Sequence, residues 1–421
     1  MNSRERVKAA LAHKDSDRVP FDLGATPVSG ISAPALAKLR LALGLKDLPV
    51  KVHEPFQMLG FVEDDVIQKT GVDVIGLWPR NTFMGYENKN WKEWGPFHGT
   101  TVLVGEGFAV DKTEDGGYLL YPQGDRSVPP SARMPNNGYY FDVIVRQEPY
   151  DENNLNGRQD FGEQFELLPE DELKYCEEIV NSMYENTDLA IIGNHLFLCI
   201  GDAAQVPGPG MKKTPGIRRF DEWYMAHLLH PEYIKDIYGY QTELALKNLQ
   251  LYKEAVGDKV EAVIVSGTDF GTQKGEIMSA DMFREFYKPY FRQVNDWIHE
   301  NTNWKTFYHC CGSIMNLLDD FVDMGADILN PLQCTAANMD IKVIKEKYGD
   351  KLTFWGGGVN VQQTLPFGRP EEVYEEVKER LALLSCGGGF VCASVHNIQA
   401  TVPTENIVAF IDAINDYNKK Q

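Results

Sequence analysis

A chain of 421 residues, 43% hydrophobic and 24% charged, is long enough for two ordinary domains or one large barrel with a substantial core. Its 41 Lys and Arg stand against 61 Asp and Glu, a net charge of −20, which excludes a phosphate backbone or an anionic membrane surface as the main partner. The amino end, MNSRERVKAALAHKDSDRVPF, has no apolar signal core, and no window offers about 18 uninterrupted apolar residues for a membrane helix, so a cytoplasmic location is expected.

In chain order, the runs VPFDLG from residue 19, DVIGLW from 73, LAIIGNHLFLC from 189 and EAVIVSGTDF from 261 read as strands. So do WKTFYHC from 304, DILNPLQC from 327, LTFWGGGV from 352 and GFVCASVH from 389. Helical patterns lie between and after them, among them DMFREFYKPYFRQVNDWIHEN from 281, PEEVYEEVKERLALLS from 370 with Pro near its first turn, and TENIVAFIDAINDYNKK from 404 with Thr as its cap. Strands alternating with helices predict an α/β fold, and their number favours a (β/α)8 TIM barrel occupying 1–421 as a single domain.

Two stretches interrupt the alternation. Between about 80 and 150 the text turns aromatic and rich in Gly, Pro and Asn, with a β-hairpin around Asp115-Gly116-Gly117 and a further strand entry in MPNNGYYFDVIV; it reads as a β-rich insertion in an early βα loop. The stretch GDAAQVPGPGMKKTPGIRRF from 201 has too much Gly and Pro for a helix and is expected to be an active-site lid or a mobile connector.

Catalytic groups of such a barrel come from the carboxyl ends of its strands. Those ends hold Asn194 and His195, Asp269, His309 and Cys311, Gln333 and Cys334, the Gly356-Gly357-Gly358 run with Asn360, and Cys392 with His396. Alternation puts His309 and Cys311 on one face of the strand and Cys310 on the other, in the core. A His-x-Cys pair supplies two metal ligands where zinc takes three or four. The third is expected from His396, which follows directly on the last apolar run, with Cys392 and Cys334 in reserve. For Asp269 the alternatives are a helix cap or a catalytic carboxylate, for Gln333 backbone support or substrate binding, and for His195 packing or substrate binding. The seven cysteines are too few and too uneven for a disulfide framework and are read as reduced thiols.

The segments SGTDFGTQ, HCCGS, DILNPLQ and GGFVCASVHNIQATVPTENI, in that order and spacing, resemble the uroporphyrinogen decarboxylase superfamily and, within it, the corrinoid-dependent methyltransferases. The resemblance implies zinc on a His-x-Cys pair, here His309 and Cys311, and on a later residue. In the family that residue is often a cysteine shortly before a Thr-Pro-x-Glu-Asn segment; here the segment reads VPTEN and the matching position holds His396. The arginine-rich motif by which the true decarboxylases hold substrate carboxylates is missing, since RVPFDLGATPVSGIS carries only Arg18.

The activity so implied is zinc-dependent methyl transfer between a small methylated compound and the cobalt of a corrinoid protein. An aryl methyl ether is the favoured donor because Trp78, Phe83, Tyr86, Trp91, Trp94, Tyr139, Tyr140 and Phe141 offer walls for a flat ring. Asp269 is assigned to catalysis, and Asn194, His195, Gln333 and Asn360 to substrate. The corrinoid is expected on a separate partner, because the chain has no Asp-x-His-x-x-Gly motif; a homo-oligomer is also compatible with the sequence. Rival readings are transfer from a methylcorrinoid to a thiol, a metal-free decarboxylase, and a non-catalytic barrel that binds a small ligand.

Overall fold

The computed structural model describes residues 1–420. Its central sheet runs parallel through Val74–Leu77, Ala190–Gly193, Ala262–Ser266, Lys305–His309, Ile328–Asn330, Thr353–Trp355 and Phe390–Val391, each strand paired with the next in the chain. The stretch around Phe21 closes the ring. Phe21 bridges Cys392 in parallel, Cys392 N–H donates to Pro20 O at 2.8 Å, and on the other side Asp73 N–H donates to Phe21 O at 2.8 Å. All eight runs read as strands from the sequence therefore contribute to the barrel wall.

Side chains alternate across that wall as pleating requires. Val74, Ala190, Ile192, Ala262, Ile264, Phe307, Ile328, Trp355, Val391 and Ala393 form the inner cluster, which the helix Ser3–Leu11 joins through Val7, Ala10 and Leu11. Ile191, Val263, Val265, Tyr308, Leu329, Phe354, Phe390 and Cys392 belong instead to the outer core beneath the helices. Burial of this continuous apolar layer, at roughly 25 cal/mol per Å², is the main force holding strands to helices.

Two local expectations change. The stretch from 281 forms two helices, Ala280–Phe286 and Lys288–Asn301, because Pro289 sits in the first turn of the second, where its missing N–H costs nothing. Thr404 is the first residue of the last helix, Thr404–Asn418, rather than its cap; Pro403 stands at the cap and makes no side-chain bond there. The 201–219 stretch is irregular and is tied down by side-chain hydrogen bonds. The buried Arg218 guanidinium donates to the carbonyls of Pro215, Val206 and Asp160 and to Gln164, and Arg146 donates to the Gly208 and Met211 carbonyls.

Between Leu77 and Ala190 the chain builds two small antiparallel sheets. One pairs Lys92–Phe97 with Thr100–Val104, and the other orders Val110–Lys112, Tyr118–Leu120, Ala132–Met134 and Asp142–Val143. The Asp115-Gly116-Gly117 turn joins two of these strands, with Gly116 at a φ of 87° that suits glycine. No helix among the described residues is long and apolar enough to cross a membrane.

Candidate functional site

Two loops at the carboxyl rim meet backbone to backbone. A Cβ on Gly312 would lie 2.5 Å from the carbonyl carbon of Gly271, so only glycine permits the approach, and Ser313 N–H donates to Thr272 O at 2.8 Å to fix it. This contact carries Asp269 over to Cys311. One Asp269 oxygen accepts the Cys311 N–H at 2.6 Å and the other accepts its thiol at 3.3 Å. His309, the last residue of its strand, brings Nε2 within 3.8 Å of the same carboxylate. The ligand atoms of Asp269, His309 and Cys311 all lie within 4.8 Å of one another. Asp269 is not a helix cap, since Ser279 caps the helix that follows.

The imidazole of His309 is set to ligate. Asn330 Nδ2 donates to Trp355 O at 2.8 Å, which turns its Oδ1 toward His309 Nδ1 at 2.6 Å. The proton must then sit on Nδ1, leaving the Nε2 lone pair facing the cluster, the arrangement that a hydrogen-bond acceptor on Nδ1 gives a metal-binding histidine. Burial and the Asp269 charge push the Cys311 thiol well above its ordinary range, so its sulfur becomes a thiolate only when a cation arrives to compensate. Donor chemistry and preset tautomer both fit zinc.

His396 stands close by without joining the cluster. Its ring centre is 5.3 Å from that of His309, but its Nδ1 accepts the Asn397 N–H at 2.8 Å, which places the ring proton on Nε2. The third donor in reach is thus Asp269, where the sequence pointed to His396. Neither reserve cysteine is placed to ligate. Cys392 faces the outer core, against the position a Gly358 side chain would take, and Cys334 does not come within the Asp269, His309 and Cys311 cluster. Cys310 is buried on the far face, where its sulfur accepts the Phe270 N–H at 3.2 Å.

The cluster opens on a cavity of about 1750 Å³ lined by Asp269, His309 and His396, by Asn194 and His195, and by Trp78, Phe83, Trp91, Tyr139, Tyr140 and Phe141. Tyr86 and Trp94 are not on this wall; Trp94 packs against Phe97, Phe108 and Tyr118 in the core of the insertion. Asn194 donates to Ala25 O at 2.8 Å across the place where a Gly76 side chain would stand, and its buried Oδ1 has no partner. Gln333 and Asn360 do not reach the cavity. Gln333 accepts the Gly312 N–H at 2.7 Å and so supports the Cys311 turn; Asn360 caps its own turn by accepting from Gln362 and Gln363 N–H.

Two cavity carboxyls escaped the sequence reading. Asp202, in GDAAQ just beyond the third strand end, is pushed up to about 7 by burial and by the Asp269 charge. Glu54 is pushed up to about 7 by burial. Each cation on the wall is already paired, Lys51 with Glu63, Lys89 with Glu87, and Arg80 with Glu87 and Asp171.

The family model of uroporphyrinogen decarboxylase (URO-D) matches residues 218–417, which hold the whole cluster. Over that stretch the chain resembles the uroporphyrinogen decarboxylase family. Among curated proteins it is similar to the uroporphyrinogen decarboxylase of Pseudomonas syringae pv. tomato, 31% identical over 146 residues that make up 34% of this chain and 39% of the relative. The enzyme of Actinobacillus pleuropneumoniae serotype 5b is 27% identical over 150 residues, 35% of this chain and 40% of that one. The chain thus spans about two fifths of the length of the curated relatives it matches. A solved structure, a methyltransferase from Methanosarcina mazei, superposes with a TM-score of 0.53 over 99% of both chains at 16% identity, a likeness of fold.

Proposed function

We propose that this protein is a zinc-dependent methyltransferase that moves a methyl group between a small methylated compound and the cobalt of a separate corrinoid protein. The supporting observation is the Asp269, His309 and Cys311 cluster at the wall of a wide aromatic cavity with no unpaired cation. Zinc bound there would act as a Lewis acid, polarising the oxygen of an ether or holding a thiol as thiolate. His309 offers Nε2 because Asn330 holds Nδ1, and Cys311 offers sulfur. Asp269 completes the set, or, if the His396 ring turns its nitrogen inward, orients the substrate and accepts a proton from it.

An aryl methyl ether is the favoured donor, its ring lying among Trp78, Phe83, Trp91 and Tyr139. Asn194, with its unpartnered Oδ1, and His195 would meet polar groups of that ring. Transfer to a thiol is the second reading and uses the same donors. Decarboxylation of a many-carboxylate tetrapyrrole is disfavoured, because Glu54, Asp202 and Asp269 would face the substrate with no free Arg or Lys to offset them.

The protein is to be mixed with a reduced corrinoid protein and an aryl methyl ether. Phenol formation matched by loss of the cobalt(I) absorption is expected, and release of carbon dioxide from a polycarboxylate without corrinoid would overturn the reading. In the same assay Asp269→Asn should melt near normally and lose transfer by at least about tenfold; a normal rate would confine Asp269 to holding the Cys311 loop.

A further inference from the structure

A second set of soft and hard donors lies behind the cavity wall, away from the Cys311 loop, and touches the cavity only through His195. His195 follows the Ala190–Gly193 strand and lines the wall, while Glu172 and Cys176 project one turn apart from the helix Glu170–Asn186. All three are buried. Their contacts are His195 Nε2 to Glu172 Oε1 at 3.0 Å, Cys176 Sγ to Glu172 Oε1 at 3.8 Å and Cys176 Sγ to His195 Nε2 at 3.9 Å.

We propose that Glu172, Cys176 and His195 form a second metal site, for a zinc-class divalent cation. A tetrahedral zinc with ordinary bond lengths separates nitrogen and oxygen donors by about 3.4 Å and either of them from sulfur by about 3.6 Å. The observed triangle departs from those values by no more than about 0.4 Å on each side, so the donors need only a small breath to close on an ion. A His-carboxylate ion pair alone would explain the shortest contact. It does not explain why a thiol is aimed at the same point from the adjacent helical turn.

The protonation chemistry balances. The Glu172 carboxylate keeps the His195 proton on Nε2 until an ion enters; because Nδ1 is buried without a protein partner, that proton moves to Nδ1 as Nε2 gives its lone pair to the ion. Cys176 releases its proton to solvent, as coordinated thiols do. With Glu172 ionised, thiolate and carboxylate together offset the dication. The Arg80 guanidinium does not compete, being turned to Glu87 and Asp171, and it is the Arg80 backbone N–H that donates to Glu172. Nitrogen, oxygen and sulfur donors together select zinc over magnesium or calcium. The fourth position would face the cavity through His195.

The test counts metal on the full chain after equilibration with zinc and desalting. Wild type should retain two equivalents, Cys311→Ala one, and Cys311→Ala with Cys176→Ser none. Cobalt(II) loaded into Cys311→Ala should show thiolate-to-cobalt absorption that disappears with Cys176→Ser, and His195→Gln provides an independent variant should Cys176→Ser fold poorly. Failure of the proposed function would remove the Cys311-dependent equivalent and leave the Cys176-dependent one. A Cys311→Ala protein that melts normally and binds no zinc or cobalt would overturn the second site.

Discussion

At the amino-terminal rim of the barrel, the buried Asp73 receives Arg6 at 2.7 Å and Arg18 at 2.6 Å, and Asp327 receives His299 at 2.7 Å and Lys305 at 2.8 Å. At the carboxyl rim, Glu54, Asp202 and Asp269 line a cavity and meet no Lys or Arg among the described residues. Both rims hold carboxyl groups near strand termini, buried in Asp73, Glu54 and Asp202 and partly buried in Asp327 and Asp269. One neutralises them with fixed cations and the other leaves the compensating charge to whatever enters. Burying an unpaired charge costs several kcal/mol, so the carboxyl rim tolerates a cost that the opposite rim avoids, as expected where a site must attract a cation or a proton. Variants at the two rims should therefore separate chemistry from stability.

The largest effect belongs to Cys311→Ala. It removes a sulfur donor from the Asp269–His309–Cys311 set, so the Cys311-dependent zinc should be lost and methyl transfer should fall at least about a hundredfold, with the melting temperature little changed. Atomic absorption on the desalted variant checks this, and undiminished zinc would erase the contrast between the rims. The mirror experiment is Asp73→Ala. It removes the carboxylate shared by Arg6, the half-buried Arg18 and the Phe21 N–H, while Asp17 still holds Arg6, at a cost of about 1–3 kcal/mol. Urea unfolding should register that loss while zinc content per folded chain stays the same.

A smaller effect is expected from Asn330→Ala, which touches no metal. It frees His309 Nδ1 from its acceptor, so the ring no longer commits Nε2 to ligation, and zinc affinity should fall about 10- to 100-fold. Competition with a chromogenic chelator would measure it. An unchanged affinity would mean that the Asn330 bond only packs the strand.

The same contrast explains what the sequence made legible. The strand runs were plain because each is short, β-branched or apolar, and followed by a helical period, and His309 with Cys311 followed from alternation alone. Alternation could also have set aside Cys392, since Val391 and Ala393 share the inner face and leave it outside. Hidden from local pattern was everything made by contact between loops. Asp269 reaches Cys311 through the Gly271–Gly312 approach, 42 residues apart in sequence, and Glu172 with Cys176 meets His195 from a helix inside a poorly patterned stretch. The amino-terminal rim left an unread signal. The runs DVIGLW, EAVIVSGTDF and DILNPLQC each begin with an acid, and these are Asp73, Glu261 and Asp327, the very groups that anchor that rim.

Glu261 is where the amino-terminal rim is least complete, and it gives the finest test. Its Oε2 accepts the Ile191 N–H at 2.5 Å, but Arg4 and Lys8 come no closer than 3.7 and 3.8 Å, and Oε1 has no hydrogen-bond partner. Burial therefore outweighs the distant cations and pushes this carboxyl up to about 7, from an ordinary value of 4.5. The native state thus holds the proton more tightly than the unfolded chain. The stability this confers is fully present below about pH 4.5 and is lost as the pH rises through about 7, at up to roughly 1.4 kcal/mol for each pH unit in between. Glu261→Gln keeps the Ile191 bond and cannot ionise. Urea midpoints across pH 4.5 to 8 should fall less with rising pH in Glu261→Gln than in wild type, with zinc content equal in both. Parallel pH curves for the two proteins would show that Arg4 and Lys8 reach Glu261 in solution, and that the amino-terminal rim is neutralised at this position as it is at Asp73.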